Sequence, residues 1–453
     1  MALSPEAADG LPATTDRRQV RLAALASVVG TSIEWYDFFL YNTAAAIVFP
    51  EVFFPHSSTY SGTLESFATY AVGFAARPVG AAIFGHWGDR LGRKATLIVT
   101  LLTMGIASAL VGVLPGASSI GVAAPILLVV LRVLQGLAVG GEWSGSVLLS
   151  MEWGNQRRRG LMASWPQMGV PIGLLLGTGM MTAIALSAEG AFKAWAWRIP
   201  FLVSLVLVGI GLWVRLKVME TPLFSQLAAR QTVARVPVAE VIRSHWREII
   251  YSAFLRMSEQ APFYLYTAFA LTYIEKHLNL AQGLALGAVS VGGAIELFVT
   301  PTAGHLSDRL GRRRTYVTGA VLIGVVAFPA FALLNTKTAG LVIVGIALFA
   351  IAHAIQYGPQ AAYIAESFPT RLGYAGSGLG YQLASLIAGG PAPLLATWML
   401  PNFGWQAICV YIIACMVLTL IAAALLPDRS RADLATERPV GTAAEVSLPS
   451  AYL

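Results

Sequence analysis

The sequence predicts an all-α membrane protein with twelve transmembrane helices arranged in two six-helix bundles. Of its 453 residues, 56% are hydrophobic and only 12% are charged, and the mean hydropathy is +0.67. Water-soluble domains carry about 25% charged residues, so this chain must be solvated mostly by lipid. About twelve apolar runs reach the roughly 20 residues that span a bilayer. One charged turn also occurs twice, once in each half of the chain.

The repeated turn organises the chain. Its first copy runs from Gly85 to Lys94 and its second from Gly304 to Arg313, and both read Gly-His-x-x-Asp-Arg-Leu-Gly-Arg. Each copy ends one apolar run and begins the next, and its charges place it at the membrane surface rather than in hydrocarbon. Two copies predict two similar halves, a common design of transporters whose substrate site lies between the halves near the bilayer midplane.

The apolar runs are joined by short loops, except between the halves. We predict an N-terminal segment at 1–21, a first bundle at 22–216, a polar linker at 217–247, a second bundle at 248–426 and a disordered polar tail at 427–453. The individual spans are predicted at 22–48, 64–86, 95–114, 123–149, 161–186, 196–216, 248–275, 284–304, 314–334, 340–363, 374–400 and 404–426.

The placement of the basic residues predicts the orientation. Lys193, Arg198, Lys276 and Lys337 fall in one set of alternate loops, three arginines fall inside spans, and all other Lys and Arg residues fall in the opposite loops and the termini. Cytoplasmic loops are the ones enriched in Lys and Arg, so both termini are expected in the cytoplasm. The net charge of +7 is therefore explained by topology, and we expect no nucleic-acid partner.

The sequence contains no pattern typical of an enzyme. Neither a phosphate-binding Gly-x-x-x-x-Gly-Lys-Ser/Thr loop nor a Gly-x-Ser-x-Gly motif occurs, and the six histidines are scattered. The only cysteines, Cys409 and Cys415, fall in the last span and indicate neither disulfides nor a metal site. Residues 1–20 lack the features of a signal peptide. We expect no cofactor and no catalysis, and we expect an ion gradient as the energy source.

The first span carries two acidic residues, Glu34 and Asp37. They are three positions apart and therefore share a helix face. Two neighbouring carboxylates in a low dielectric cannot both ionise cheaply, so one is expected to hold a proton at neutral pH, as a proton-coupling site requires. The alternative is a fixed ion pair between helices with Arg77 or Arg132.

Two intramembrane arginines predict where an anionic substrate binds. Arg132 stays charged, and its planar fork suits a substrate carboxylate. Arg256 and Glu259 form a second charged site, with Tyr264 as a possible wall of the pocket. The alternatives are that Arg132 is a fixed partner of Glu34 or Asp37, and that Arg256 and Glu259 form an internal pair.

Further polar groups inside spans are candidate substrate contacts, with hydrogen bonding between helices as the alternative for each. They are Gln135, Trp143, Gln167, Gln356, Tyr363 and Tyr381.

The repeated turns predict a gate. Asp89 and Asp308 lie at helix ends, where a carboxylate can hold a nearby arginine or a helix N-terminus and so latch the cytoplasmic side shut. The other predicted gating residues are Arg77, Arg90, Arg93, Glu152, Arg159, Arg309, Arg312, Glu366 and Arg371. The alternative is that the turns only determine topology.

These motifs resemble the major facilitator superfamily. The turns are similar to its signature loops, and the stretches Glu34–Phe39, Arg77–Gly80 and Arg132–Trp143 resemble its metabolite:proton symporter branch. The resemblance covers residues 20–426 and implies a central cavity and proton-driven uptake across a bacterial inner membrane. We expect the partners to be the bilayer, a proton and a small carboxylate such as a shikimate-like or dicarboxylate metabolite, and we expect a monomer.

Two other functions remain open at this stage. The first is symport of a zwitterionic osmolyte such as proline or betaine, although osmosensing members of the branch often carry a long C-terminal coiled coil that is not seen here. The second is a sensor that binds a metabolite without moving it, although no signalling domain is appended to the bundles.

Overall fold

The computed structural model describes residues 17–57, 59–229 and 234–432. The predicted disorder beyond residue 432, and the segment before residue 17, lie outside this range. Within it the chain is almost entirely helical, and twelve long spans form two bundles of six, as the sequence predicts. We number these spans α1 to α12 and name the short helices by their ranges.

The first half consists of six nearly regular helices. They are α1 Arg17–Ile47, α2 Thr59–Leu91, α3 Arg93–Val113, α4 Ala123–Trp153, α5 Arg159–Ser187 and α6 Arg198–Lys217. Two short helices on the polar linker, Pro222–Ala229 and Pro237–Ser244, lead into the second half.

The second half contains three regular helices, α8 Gln282–Leu310, α9 Arg312–Asn335 and α10 Ala339–Ala365. Two of the other three, α7 and α11, are irregular. The span α7 is assembled from the helices Trp246–Leu255, Met257–Tyr264 and Ala270–Thr272 with π-helical turns at Leu265–Phe269 and Tyr273–His277. The span α11 starts as Gly373–Ala384, passes through a π-helical turn at Ser385–Gly389 and continues into the helix Pro391–Leu425.

Gly404 divides that last helix in two. Its φ of 74° and ψ of 175° are not helical, and a positive φ is a conformation that glycine adopts without a steric penalty. We therefore assign the part before Gly404 to α11 and residues 405–425 to α12.

Composition alone recovers most of these spans. Among the described residues, eight continuous helical segments are long and apolar enough to cross a bilayer, and the last of them contains both α11 and α12. The spans missing from this set are α1, α2 and α7. Acidic side chains within α1 and π-helical turns within α7 account for two of the three.

The repeated turns take the same conformation in both halves. Gly92 separates α2 from α3 with φ 108°, and Gly311 separates α8 from α9 with φ 97°. Residues with a Cβ atom avoid this region of φ, so the glycine lets two long helices follow each other with a single residue between them. We call the side of the molecule that carries these two glycines the turn face.

The two halves approach each other closely through small residues. A Cβ atom added to Gly160 of α5 would meet the backbone of Gly304 in α8, and one added to Gly85 of α2 would lie 2.7 Å from the Cα atom of Ala375 in α11. Small residues at such positions allow helix backbones to come into contact inside a membrane. The bundles are therefore pressed together on the side of the turn face.

Candidate functional site

Two small cavities lie inside the molecule. The first-half cavity is enclosed by α1 to α4, and its lining residues are Glu34, Asp37, Phe38, Gly73, Arg77, Met104, Arg132, Gln135, Gly136 and Val139. The space open to the centre of a water molecule is about 10 Å³, which is room for roughly one water. The residues predicted for proton coupling therefore surround the same cavity as the arginine predicted to bind the substrate.

Asp37 is held by two hydroxyl groups. The side chain is 2% exposed, and its Oδ2 accepts a hydrogen bond from Ser108 Oγ at 2.7 Å while its Oδ1 accepts one from Ser204 Oγ at 2.5 Å. A serine hydroxyl can donate to a carboxylate or, after rotation, accept from a carboxylic acid. These partners can therefore hold Asp37 in either protonation state.

Arg132 is connected to Asp37 through two intermediate groups. Its Nη1 donates to Gln135 Oε1 at 3.2 Å, and Gln135 Nε2 donates to Ser108 Oγ at 2.8 Å. The guanidinium lies 4.1 Å from the ring centroid of Tyr41. A Cβ atom on Gly73 would come within 2.6 Å of Arg132 Nε, so a glycine is needed there for the guanidinium to lie across α2.

Glu34 and Arg77 occupy another part of the same cavity. Glu34 is 4% exposed, and its Oε2 has no hydrogen-bond partner within the described part of the chain. The Arg77 guanidinium lies over the rings of Phe38 and Phe74, at 5.0 and 4.5 Å from their centroids. Arg77, predicted for gating, thus lines the cavity and does not take part in the contacts of the turn face described below.

The second-half cavity lies where α7, α10 and α11 meet the first half. The space open to the centre of a water molecule is again about 10 Å³, and the lining residues are Trp35, Val170, Arg256, Glu259, Gln260, Phe263, His353, Tyr357 and Tyr381. Only Trp35 and Val170 belong to the first half, so movement of the two halves apart would open this cavity to water.

Arg256 is engaged by its own half of the protein. Its Nε donates to Glu259 at 3.0 Å, its Nη1 to the carbonyl oxygen of Tyr381 at 2.5 Å, and its Nη2 to Gln260. The guanidinium also lies over the Tyr381 ring, 3.3 Å from its centroid. The internal arginine–glutamate pair that the sequence offers as an alternative is present, and substrate binding at Arg256 and Glu259 stays a prediction.

His353 joins two acidic residues from different helices. Its Nδ1 lies 2.5 Å from Glu296 Oε1 and its Nε2 lies 3.5 Å from Glu259 Oε1. Tyr266 also donates to Glu296, and Gln360 donates to Glu259 at 2.9 Å. The histidine thus bridges α8 and α7 from its position on α10.

Aromatic and amide groups connect the two halves near these cavities. The rings of Trp143 and Tyr381 stack with centroids 3.6 Å apart. Trp143 Nε1 donates to Gln167 at 2.9 Å, and Gln167 Nε2 donates to the carbonyl oxygen of Tyr357 at 3.4 Å. Tyr264, from α7, packs its ring against Phe74 and Phe38 of the first half.

Two of the predicted substrate contacts lie away from both cavities. Gln356 exchanges hydrogen bonds with Ser258, and Tyr363 donates to the carbonyl oxygens of Leu426 and Ala423. Hydropathy does not indicate which face of a fully apolar helix points to the centre, and these two side chains point to neighbouring helices of their own half.

The turn face is closed by two equivalent caps. Asp89 accepts hydrogen bonds from the backbone N–H groups of Tyr374 and Ala375 at 3.1 and 2.9 Å. Asp308 accepts them from Gly160 and Leu161 at 2.8 and 3.0 Å. Each aspartate therefore caps the N-terminus of a helix in the opposite half, α11 or α5, where the free N–H groups and the helix dipole favour an anion.

Buried ion pairs surround these caps. Arg93 contacts Glu152 at 3.3 Å, and its Nη2 donates to the carbonyl oxygen of Thr370 across the interface at 3.0 Å. Arg312 contacts Asp308 and Glu366 at 2.7 and 3.2 Å. Arg159 of the first half contacts Glu366 of the second at 3.1 Å. The predicted gating residues thus include most of the polar contacts between the halves on this face.

The other predicted gating arginines lie farther out. Arg90 and Arg309 are exposed, and Arg90 lies 3.4 Å from His86. Arg371 contacts Glu240 of the linker at 2.5 Å. These positions are consistent with anchoring of the turns and the linker at a membrane surface.

Residues 427–432 fold back against the turn face. Arg159 Nη2 donates to the carbonyl oxygens of Ser430 and Ala432, both at 3.0 Å. Asp428 accepts from the backbone N–H groups of Arg313 and Ser430 at 3.0 and 2.9 Å. Burial raises the pKa of Asp428, but these N–H donors outweigh it and the net pKa lies below its ordinary value. The predicted disordered tail therefore begins with an ordered segment.

Sequence reasoning misses four residues that line a cavity or make buried polar contacts with acidic residues. Ser108 and Ser204 are small hydroxyl residues inside apolar runs, where serine carries no distinctive signal. Arg215, near the end of the span predicted at 196–216, turns inward to pair with Glu142, which also accepts from Thr100 at 3.0 Å. His353 carries no distinctive signal because its partners Glu259 and Glu296 are distant in sequence.

With this geometry in hand, comparison with known proteins identifies the family. The profile of the Major Facilitator Superfamily matches residues 28–392 and 267–448. This chain belongs to the major facilitator superfamily. Members of this family are transporters and not enzymes, so the protein is a transporter.

Curated relatives cover nearly the whole chain. The shikimate transporter of Escherichia coli (strain K12) is 41% identical over 425 residues, which is 92% of this chain and 97% of the relative. The inner membrane metabolite transport protein YhjE of the same organism is 39% identical over 90% of this chain and 94% of its own. The proline/betaine transporter of E. coli (strain K12) is 32% identical over 85% and 79%.

Solved structures confirm the fold. The structure of the proton:xylose symporter XylE bound to 6-bromo-6-deoxy-D-glucose superposes with a TM-score of 0.74, covering 91% of this chain and 96% of that one at 16% identity. A crystal structure of a D-xylose-proton symporter gives a TM-score of 0.66 at 19% identity, covering 90% and 97%.

Proposed function

We propose that this protein is a proton-coupled symporter that imports a small organic acid, with both termini and the turn face in the cytoplasm of a bacterial cell. The observation that carries the proposal is the geometry of the first-half cavity. Among the described residues, the hydrogen-bond partners of Asp37 are two serine hydroxyl groups, each of which can donate or accept. Asp37 also faces the same space as two guanidinium groups. The names of the relatives, which include a shikimate transporter, support the substrate class.

The charges of this cavity support coupling of one proton to one anion. Its lining contains two carboxyl groups, Glu34 and Asp37, and two guanidinium groups, Arg77 and Arg132. With all four ionised, the empty cavity is neutral. A proton on Asp37 and a substrate carboxylate at Arg132 restore neutrality, whereas either one alone leaves a net charge whose enclosure in a low dielectric is costly. The carrier can therefore close when empty or fully loaded, but closes poorly when half loaded.

Other buried carboxylates are less suited to carry the proton. Glu142 pairs with Arg215 and Glu259 pairs with Arg256. A guanidinium has donors only and cannot accept a hydrogen bond from a protonated acid. Asp37 lacks this restriction at its two serine partners, and Glu34, with its unpartnered Oε2, is the second candidate for the proton.

The arrangement also indicates how the transport cycle proceeds. Both cavities hold only about one water, whereas small-molecule sites are typically a few hundred Å³ or larger. The structure therefore represents a closed state, and a substrate enters only when the halves separate. The caps at Asp89 and Asp308 would open the cytoplasmic side by releasing the N-termini of α11 and α5.

The decisive test uses the purified full-length protein in proteoliposomes with labelled shikimate as the probe. We expect the native protein to accumulate shikimate under an inward proton gradient and to exchange it without one. The Asp37→Asn variant should lose accumulation and keep exchange, because its side chain can no longer release a proton. Glu275→Gln, which alters an exposed carboxylate, is the matched control.

Two results would refute the proposal. Accumulation by Asp37→Asn at the native level would remove Asp37 from coupling. Binding of shikimate by the native protein without any exchange would indicate a sensor, because only a carrier moves labelled substrate across the membrane.

One observation favours a zwitterionic substrate as the second candidate. The second-half cavity combines the aromatic side chains of Trp35, Phe263 and Tyr381 with the carboxylate of Glu259, and aromatic rings with an anion suit a quaternary ammonium group. A betaine could then place its carboxylate at Arg132. This alternative would be established if glycine betaine but not shikimate competed for the substrate site, and if uptake rose with the osmolality of the medium.

A further inference from the structure

The second-half cavity borders a buried charge cluster that the proposed coupling does not use, and Glu296 joins this cluster behind the cavity lining through its contact with His353. The cluster consists of Arg256, Glu259, Glu296 and His353, and each of these residues is at most 3% exposed. The members come from three helices: α7 with its adjoining Arg256, α8 and α10. Enclosed charges at this depth persist only if they balance.

The balance of this cluster depends on one proton. Arg256 contributes one positive charge, and Glu259 and Glu296 contribute two negative charges. The cluster is neutral only if one proton is bound, either on His353 or on Glu296. Because His353 Nδ1 and Glu296 Oε1 are within hydrogen-bond distance of each other, a proton bound by either group lies between the two and is stabilised by both.

The other charged groups near the cluster, Arg77 and Glu34 of the first half, carry opposite charges and face it across Tyr264 and Tyr381, so they do not replace this proton. The remaining titratable groups that face it among the described residues are the phenols of Tyr264 and Tyr266 on α7, Tyr357 on α10 and Tyr381 on α11, and Tyr316 on α9 reaches it through Gln360. The first half contributes only Trp35 and Val170 to this cavity, neither of which titrates.

We propose that His353 and Glu296 form a second proton site, separate from the carboxyl groups of the first half, and that the two halves close only while its proton is bound. This inference rests on the proposed function, because it concerns a step of the same transport cycle. The proton is a resident one: water entering between Trp35, Val170 and the cluster can solvate a negative charge in the open state, but closure removes that water.

The prediction separates the charge of the cluster from the identity of its side chains. His353→Gln leaves two carboxylates against one arginine, so closure requires Glu296 to take up a proton, and exchange should survive only at acidic pH. His353→Gln combined with Glu296→Gln leaves the Arg256–Glu259 pair, whose charges balance without an added proton. The double variant should therefore be more active than the single one, whereas a merely structural role predicts that it is worse.

The test measures exchange of labelled shikimate in proteoliposomes at equal pH on both sides, at about pH 6 and about pH 8.5. Relative to native protein at the same pH, the exchange rate of His353→Gln should be more than about tenfold lower at the alkaline pH and should recover at the acidic pH. The double variant should stay within about threefold of native at both. His56→Gln, on an exposed outer loop, is the matched control.

Thermal unfolding of the same purified proteins gives a readout that needs no substrate. When the pH is raised from the acidic to the alkaline value, the unfolding midpoint of His353→Gln should decrease by several degrees more than the midpoint of the double variant. A double variant that is as inactive or as unstable as the single variant overturns the inference, because no unbalanced charge remains to explain the defect. If native protein does not exchange shikimate, the proposed function fails, and the unfolding comparison still decides this proton site.

Discussion

Replacing Asp89 by asparagine should shift the transporter toward the state that is open on the turn face. In the native protein both oxygens of Asp89 accept hydrogen bonds from the N-terminus of α11, at 3.1 Å from Tyr374 N and 2.9 Å from Ala375 N. Asparagine keeps one acceptor oxygen and turns an NH2 group toward the second N–H. One charge-assisted hydrogen bond across the halves is therefore lost.

The magnitude follows from that single bond. A hydrogen bond to a charged group contributes about 1.5–3 kcal/mol, so its loss changes the ratio of closed to open molecules by about 10- to 150-fold. Asp89 also lies 3.4 Å from Arg93, but Arg93 keeps its contact with Glu152, so we attribute the change mainly to the lost cap. Turnover should fall more than substrate affinity, because the variant resists closure and not binding.

Cysteine accessibility measures this shift directly. Ser144 of α4 is fully buried and faces Gly378 of α11 across the interface, so a Ser144→Cys side chain is shielded while the turn face is closed. The assay uses inside-out vesicles and a protein in which Cys409 and Cys415 are replaced by alanine. In that protein, Asp89→Asn should raise the alkylation rate of the Ser144→Cys side chain at least about tenfold.

The equivalent cap provides an internal check. Asp308→Asn removes the same kind of bond from the N-terminus of α5 and should increase alkylation to a similar extent, whereas Glu275→Gln should not. Alkylation rates within twofold of native in both aspartate variants would refute the cap as the element that holds this face closed.

Three further predictions concern recognition, packing and the tail. Arg132→Lys should weaken shikimate binding at least about tenfold because a point charge replaces a planar fork, and an unchanged Kd in a binding assay would make Arg132 structural. Gly80→Ala should destabilise the protein by about 1–3 kcal/mol, since its Cβ would meet the carbonyl oxygen of Leu137, whereas Gly179→Ala, with nothing within 4 Å, should not lower the Tm. Asp428→Asn should loosen residues 427–432 and speed tryptic cleavage there severalfold, and cleavage at the native rate would contradict the role of its hydrogen bonds.

Much of the fold could be predicted because the bilayer imposes simple rules. Spans follow from apolar runs of sufficient length, and the duplicated turn reveals the two halves, in which Asp89 and Asp308 occupy equivalent positions. The irregularity of α7 could not be predicted from hydropathy. Pro262 lacks a backbone N–H, and the π-helical turns that follow it shift the register of side chains next to the second-half cavity.

The site was predicted in part for a different physical reason. A carboxylate or guanidinium inside a span is conspicuous, so Glu34, Asp37 and Arg132 could be selected from sequence, and the structure places them around one cavity. Their neutral partners are inconspicuous, as Ser108 and Ser204 show. Partners that are far apart in the chain are equally hard to see, because nothing in a single sequence indicates which helices will be neighbours.

Substrate-induced proton movement is the direct measure of coupling between shikimate and the proton at Asp37. Shikimate is added to proteoliposomes with no initial gradient of pH or potential, and the pH of the outer medium is followed. The account predicts that the medium becomes more alkaline with native protein, and that it stays unchanged with Asp37→Asn although that variant still exchanges shikimate. The same alkalinisation with Asp37→Asn, or shikimate entry through the native protein without any proton movement, would contradict it.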